Sequence, residues 1–144
     1  MEEKKTDINS QAVQSHLNIT QSVIQRMATN SSSCKAWCIT VVSAILVILA
    51  DKGKSQYAYI AIIPNILFLV LDTYYLALEK MFRILYNDFI KKLHENVIDS
   101  SDLFVVIPKG NLIKMFFKSI ISFSVWPFYL TLLIMILLAK EIIL

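Results

Sequence analysis

Two long apolar stretches, joined by a short polar turn, dominate the pattern of the chain. Residues 36–50 and 56–78 carry few charged side chains, and the turn between them, 51–55 (DKGKS), is hydrophilic. Because lipid offers no water to backbone amides, a stretch of this kind crosses a bilayer as a helix. The pattern therefore predicts a transmembrane helical hairpin.

Both helices are predicted to continue beyond the apolar stretches as amphipathic segments. The first helix is predicted over 8–50 with Asp7 as its N-cap, and the second over 56–97. Apolar residues recur in both extensions at spacings of three and four, and pairing positions equidistant from the turn brings the two stripes together. We therefore expect an antiparallel coiled stalk. Its seam is predicted to consist of Leu17, Ile24, Phe82, Leu85, Phe89 and Leu93.

A third apolar stretch follows a loop predicted at 98–110. Asn111 is a candidate N-cap for a helix that reaches residue 143, and its segment 120–139 is long enough to span a bilayer. Pro64 in the second helix and Pro127 in the third remove backbone donors and predict kinks. The predicted fold is a single all-α membrane domain over 1–144: a long transmembrane hairpin with a cytoplasmic stalk, plus a C-terminal transmembrane helix.

Composition agrees with long membrane helices. The chain has 144 residues, room for one domain, and 56% of them are hydrophobic, above the roughly 45–50% of ordinary soluble domains. It contains no glycine-rich phosphate loop, no catalytic signature and no complete set of metal ligands, so we expect no enzymatic activity, no metal and no cofactor. Its basic residues flank the apolar stretches instead of forming a separate stripe, which argues against nucleic-acid binding.

Basic residues also predict the orientation, because they collect on the cytoplasmic side of membrane proteins. Three fall at the turn and the C-terminus, whereas nine fall on the side of the N-terminus. The three are Lys52, Lys54 and Lys140, and the nine are Arg26, Lys35, Lys80, Arg83, Lys91, Lys92, Lys109, Lys114 and Lys118. We expect a cytoplasmic N-terminus and stalk and a C-terminus outside, and in a bacterium this membrane would be the inner membrane.

Asp72 is the most informative residue, because an unpaired carboxylate in lipid is costly. One interpretation is a charged ring or gate at the cytoplasmic mouth of a pore. The other is an ion pair with Lys35, which lies opposite it in the hairpin and would mark the membrane border. Thr40, Ser43, Asn65 and Asp72 could line a polar path in an oligomer, or could hold neighbouring helices together.

Two pairs of weaker candidates remain. His16 and His94 lie at similar levels of the predicted stalk, and a metal or pH-sensing role there competes with simple packing. Cys34 and Cys38 are four residues apart on one helix and are expected to behave as small hydrophobes.

The segments IQRMATNSSSCKAWCITVVSAILVILADK and FRILYNDFIKKLH give a layout that resembles the bacterial SLATT family. The resemblance covers roughly residues 8–97. It implies an oligomeric membrane effector of a nucleotide-signalling, anti-phage defence system, which breaches the membrane once a partner senses infection. The expected partners are further copies of the chain, the lipid bilayer and a cytoplasmic sensor or nucleotide-signalling protein. The alternative is a non-conducting anchor or adaptor that recruits a cytoplasmic partner through the stalk.

Overall fold

The structure, a computed structural model, describes residues 10–53 and 55–142 and is all-helical in that part of the chain. Its α-helices are α1 (Gln11–Asp51), α2 (Ile62–His94), α3 (Leu112–Ile120) and α4 (Trp126–Ile142), and short 3-10 helices cover Ser55–Ala61 and Ser100–Asp102. The predicted all-α class, with two long apolar helices, is confirmed.

The first helix, α1, is continuous over 41 residues, about 60 Å at 1.5 Å per residue. Ser10 is its N-cap, and the Ser10 hydroxyl accepts a hydrogen bond from the Val13 N–H. The predicted start at residue 8 and the predicted cap Asp7 lie outside the described residues. The weak helix formers at 29–33 do not interrupt α1, because this part of the helix packs against α2 and buries Ser31.

Pro64 lies in the first turn of α2, not within a continuous helix. A 3-10 helix precedes it over Ser55–Ala61, and α2 begins at Ile62. A proline is tolerated in the first turn, because the N–H groups there have no helical acceptor. The irregularity predicted at Pro64 is therefore a change of helix type just before it.

The stalk, which we define as residues 11–35 of α1 and 73–94 of α2, is held together by apolar packing. Ile24 and Met27 form a buried cluster with Phe82 and Leu85. Nearer the N-terminus, a second cluster contains the seam residues Phe89 and Leu93 together with Val13, and the seam residue Leu17 packs against it. All six predicted seam residues thus lie between the two helices, as expected for antiparallel stripes joined by a tight turn.

After α2 the chain turns back along the stalk. The Lys92 ammonium lies 2.6 Å from a carboxylate oxygen of Asp102, and Lys109 lies 3.0 Å from Asp88. Between these ion pairs, Val106 packs against the cluster of Ile24 and Phe82. The predicted loop is therefore tied along its length to the helical hairpin.

The single third helix predicted over 111–143 is interrupted. The structure has two helices, α3 and α4, separated by turns over residues 121–125. The Ser122 carbonyl accepts hydrogen bonds from the N–H groups of Val125 and Trp126, so α4 starts anew there. Pro127 cannot donate to the carbonyl four residues earlier and lies in the first turn of α4, where no such bond is needed. The prediction of a single helix over 111–143, bent at Pro127, was therefore wrong, and residues 120–139 do not form one continuous helix.

Helix α4 runs antiparallel to α2 and packs into the upper hairpin. It contributes Tyr129, Leu132 and Ile136 to a buried cluster with Cys38 and Val42 of α1. At its far end, the Lys140 ammonium lies 5.0 Å from the centre of the Tyr59 ring. Between the polar turn and the stalk, α1, α2 and α4 thus form a three-helix core.

Two helical stretches, Gln11–Asp51 and Tyr57–His94, are long and apolar enough to cross a membrane. In their most apolar windows only 22% and 33% of residues are buried, whereas the core helix of a soluble protein would be mostly buried. The exposed side chains there include Val47, Ile63 and Leu67. Continuous apolar surface of this extent is unusual on a soluble monomer.

Candidate functional site

The centre of the candidate site is an ion pair between α1 and α2. The Lys35 ammonium lies 2.6 Å from an oxygen of the Asp72 carboxylate, whose side chain is fully buried. The Ser31 hydroxyl donates a short hydrogen bond to the other carboxylate oxygen, and Lys35 also donates to Ser31 over 3.4 Å. Because Ser31 and Lys35 are one helical turn apart, both reach the same carboxylate.

Tyr129 brings α4 to this ion pair. Its hydroxyl donates to the Phe68 backbone carbonyl over 3.1 Å and also interacts with the Asp72 carboxylate. The Phe68 carbonyl can accept this hydrogen bond in addition to the helical one from the N–H of residue 72, because a carbonyl oxygen has two lone pairs. Tyr129 is 3% exposed, so its hydroxyl meets protein groups rather than solvent.

Asn65 belongs to the same polar cluster and lies on the side of Asp72 that is nearer the turn between α1 and α2. Its amide donates to the Tyr129 backbone carbonyl over 3.3 Å, and its carbonyl oxygen lies 3.7 Å from the Cys38 thiol, which donates to it. Asn65 and Asp72 are two helical turns apart, so Tyr129 spans both. We call Ser31, Lys35, Cys38, Asn65, Asp72 and Tyr129 the three-helix polar cluster.

Of the four residues predicted to line a polar path, only Asn65 and Asp72 are brought together. Thr40 and Ser43 lie on the exposed side of α1, away from the cluster. The Thr40 hydroxyl donates to the Ala36 carbonyl over 3.0 Å. The cluster is formed by side chains of α1, α2 and α4, and Thr40 and Ser43 are not among them.

The predicted pair of Lys35 and Asp72 is therefore present, and two of its partners were missed. Ser31 could have been found from the sequence, since it precedes Lys35 by one turn. Tyr129 gave no such signal, because its position depends on where the interrupted third helix packs.

His16 has a separate polar site in the stalk. Its ring packs 4.2 Å from the Phe89 ring, and its Nδ1 accepts a hydrogen bond from the Phe104 N–H over 2.9 Å. Burial lowers the pKa of His16, and the negative charge of Asp102 opposes this only in part. His94 is exposed at the end of α2, so the two histidines do not form a shared site.

The described residues were compared with the ligand sets that metal ions require. They contain no group of three or more His, Cys, Asp or Glu side chains that could hold a metal ion. Cys34 and Cys38 are both free and buried. The polar cluster can fix helix positions and carry a buried charge pair.

Comparison of the chain with protein-family models, with curated proteins and with solved structures found no significant match.

Proposed function

We propose that the protein is an oligomeric effector of the bacterial inner membrane that forms or gates a pore in an anti-phage defence system. The N-terminus and stalk are cytoplasmic in this proposal, and the C-terminus is outside. The membrane location is supported by the exposed apolar surface of the upper hairpin and α4. The link to defence rests on the resemblance to the SLATT layout.

The observation that carries the proposal is the exposed face of α1. Thr40 and Ser43 lie there, in an otherwise apolar stretch, together with the small residues Ala36 and Ala44. Small residues let membrane helices approach closely, and hydroxyl groups can then face a shared polar path. A pore requires several copies, because one chain fills its own three-helix core.

The buried ion pair of Lys35 and Asp72 has a gating role in this proposal. A charged pair at the border of the apolar region holds α1, α2 and α4 in one arrangement through Ser31 and Tyr129. If the pair separated, both charges would seek water or new partners, since neither is stable alone in lipid. Separation would thereby free α1 to move relative to α2 and α4, and this movement would change the path along Thr40 and Ser43.

Membrane leakage tests the proposal directly. We expect induced expression to depolarise bacterial cells, as measured with a voltage-sensitive dye, and Thr40→Val combined with Ser43→Ala to reduce the effect. Thr131→Val is the matched control, because Thr131 is exposed on α4 and bonds its own helix through the Pro127 carbonyl over 2.7 Å. Undiminished leakage in the α1 variant would remove Thr40 and Ser43 from the path. Intact membrane potential under every trigger would refute the effector function.

A second function, a non-conducting adaptor, is favoured by a groove on the stalk. The groove has a volume of about 690 Å³ and a largely polar lining that includes Gln21, Gln25, Arg83 and Asn87. Its side chains could recruit a cytoplasmic partner while the spans only hold the chain at the membrane. This function would be established if vesicles containing the protein did not leak and if Gln25→Ala and Asn87→Ala abolished recruitment of the partner.

A further inference from the structure

We propose that the junction of α2, α3 and α4 binds one anionic phospholipid, with the phosphate at Lys80 and Lys118 and an acyl chain between α2 and α4. This inference rests on the proposed membrane location. It is independent of whether the protein conducts.

The apolar part of this lipid site is a crevice of about 280 Å³. Ile66 and Leu69 of α2 form one wall, Trp126 and Leu130 of α4 form the other, and Ile120 lies at one end. This volume lies at the lower end of the range for pockets that hold compact organic ligands, roughly 300–1,000 Å³. Its lining is almost wholly apolar, which matches an acyl chain.

The cationic part of the site lies directly beside that end. The Lys80 ammonium donates to the Ser119 hydroxyl over 3.1 Å, and Ser119 immediately precedes Ile120 of the crevice. Burial lowers the pKa of Lys80, and the nearby positive charge of Lys118 lowers it further. Lys80 is therefore placed beside the crevice through Ser119, and Lys118 precedes Ser119 on α3 and acts electrostatically on Lys80.

In the part of the chain that the structure describes, no carboxylate forms an ion pair with either of these lysines. Glu79 is the acidic residue that acts on Lys80, but its carboxylate lies 2.8 Å from the Arg83 guanidinium. Between residues 10 and 142, leaving out residue 54, neither Lys80 nor Lys118 forms an ion pair with an acidic side chain. A phosphate would supply the missing negative charge, and basic pockets between membrane helices on the cytoplasmic side bind acidic headgroups in this way.

Helix α3 has the character of a helix that lies at the membrane surface. Ile113 and Phe117 are 69% and 62% exposed, and the neighbouring turn exposes 84% of Phe123. Lys114 and Lys118 follow the edge of this apolar face. Such a helix places its apolar side chains among acyl chains and its lysines among headgroups, which puts the phosphate at the level of Lys118.

Fluorescence quenching tests the site, because Trp126 lines the crevice and the chain has only one other tryptophan, Trp37. The full chain carrying Trp37→Phe is reconstituted in phosphatidylcholine vesicles that contain a small, equal fraction of brominated phosphatidylglycerol or brominated phosphatidylcholine. We expect the anionic lipid to quench Trp126 at least roughly twofold more strongly. Lys118→Gln should weaken this preference, and Lys80→Gln with Lys118→Gln should abolish it.

Lys91→Gln is the matched control, since it removes one positive charge from a more distant, exposed part of the stalk and should leave the preference intact. Equal quenching by both lipids, or a preference that survives in the double variant, would overturn the lipid site. In the variant Trp126→Phe, Trp37 of α1 is the remaining tryptophan, and its quenching reports whether the protein is inserted in the membrane. Quenching of Trp37 without any lipid preference at Trp126 would refute the site alone, whereas absence of quenching at both tryptophans would refute the membrane location as well.

Discussion

The Lys35 ammonium lies 2.6 Å from the Asp72 carboxylate, at the point where the apolar part of the hairpin meets the stalk. The two residues are at nearly equal distances from the turn at 51–55. Their pairing therefore fixes the register of α1 against α2, and the Ser31 hydroxyl donates a hydrogen bond to the same carboxylate.

Breaking this ion pair from one side should be costly. Asp72→Asn leaves Lys35 without its counter-charge, and removing one partner of a buried pair typically costs about 3–5 kcal/mol. We expect the lower end of that range, because the Lys35 side chain keeps 20% of its surface exposed. Thermal unfolding of the detergent-solubilised protein, followed by circular dichroism, measures the loss.

Glu95→Gln is the control for that measurement. It removes the exposed pair of Lys91 and Glu95, whose atoms are 3.8 Å apart, and exposed pairs contribute little. Equal effects of Asp72→Asn and Glu95→Gln would contradict a stabilising role for the buried pair.

Tyr129 should anchor α4 to the hairpin through its hydroxyl. Tyr129→Phe keeps the ring but removes the donor to the Phe68 carbonyl, and a lost hydrogen bond of this kind costs about 1 kcal/mol. We expect a lower unfolding temperature and faster amide hydrogen exchange in α4 than in α1. Tyr74→Phe, at a ring that is 40% exposed, should change neither quantity; faster exchange spread evenly over all helices would argue against a specific anchor.

Stability should fall as the pH is lowered through the range where His16 would ordinarily titrate. Burial lowers the pKa of His16 in the folded state, so between that pKa and the unfolded value of about 6.5 the unfolded chain binds the extra proton. Protonation would also remove the acceptor for the Phe104 N–H. The unfolding temperature should therefore drop between pH 7.5 and pH 5.

His16→Gln should flatten that pH dependence, whereas His94→Gln should preserve it. Asp102 faces the same region with its partner Lys92. The pKa of Asp102 is lowered mainly by its hydrogen bond with Lys92, so its contribution is lost only at pH values near or below its ordinary pKa of about 3.9. A pH dependence that is unchanged in His16→Gln would assign the effect to another group.

The exposed face of α1 should control assembly. Ala36→Leu with Ala44→Leu places bulky side chains where the proposed oligomer brings helices close together, so the mass of the detergent-solubilised particle should decrease. Ile63→Leu, on the exposed side of α2, is the control and should leave the mass unchanged. A single-copy mass for the unaltered protein would exclude both the assembly and the pore.

Much of the hairpin could be predicted because its determinants are local and symmetric about one turn. Apolar runs gave the two long helices, and counting outward from the turn paired Lys35 with Asp72 and Ile24 with Phe82. Counting from the turn did not place Thr40 and Ser43 relative to Asn65 and Asp72, since the side of a helix that becomes buried depends on what packs against it. Cys38 and Val42 pack against α4, so Thr40 and Ser43 lie on the exposed side of α1.

The pattern of apolar and polar residues by itself determined that the chain is helical, that two stretches suit a membrane, and that the stalk is antiparallel, because these properties depend on spacing and hydropathy along the chain. Only the tertiary structure decided that the third helix is interrupted, that Tyr129 reaches Asp72, and that Lys80 meets Ser119 beside an apolar crevice. Those contacts join residues about 40 to 60 positions apart through the packing of α3 and α4. The path of a chain after a break is fixed by the surfaces it can cover, which the local sequence pattern does not specify.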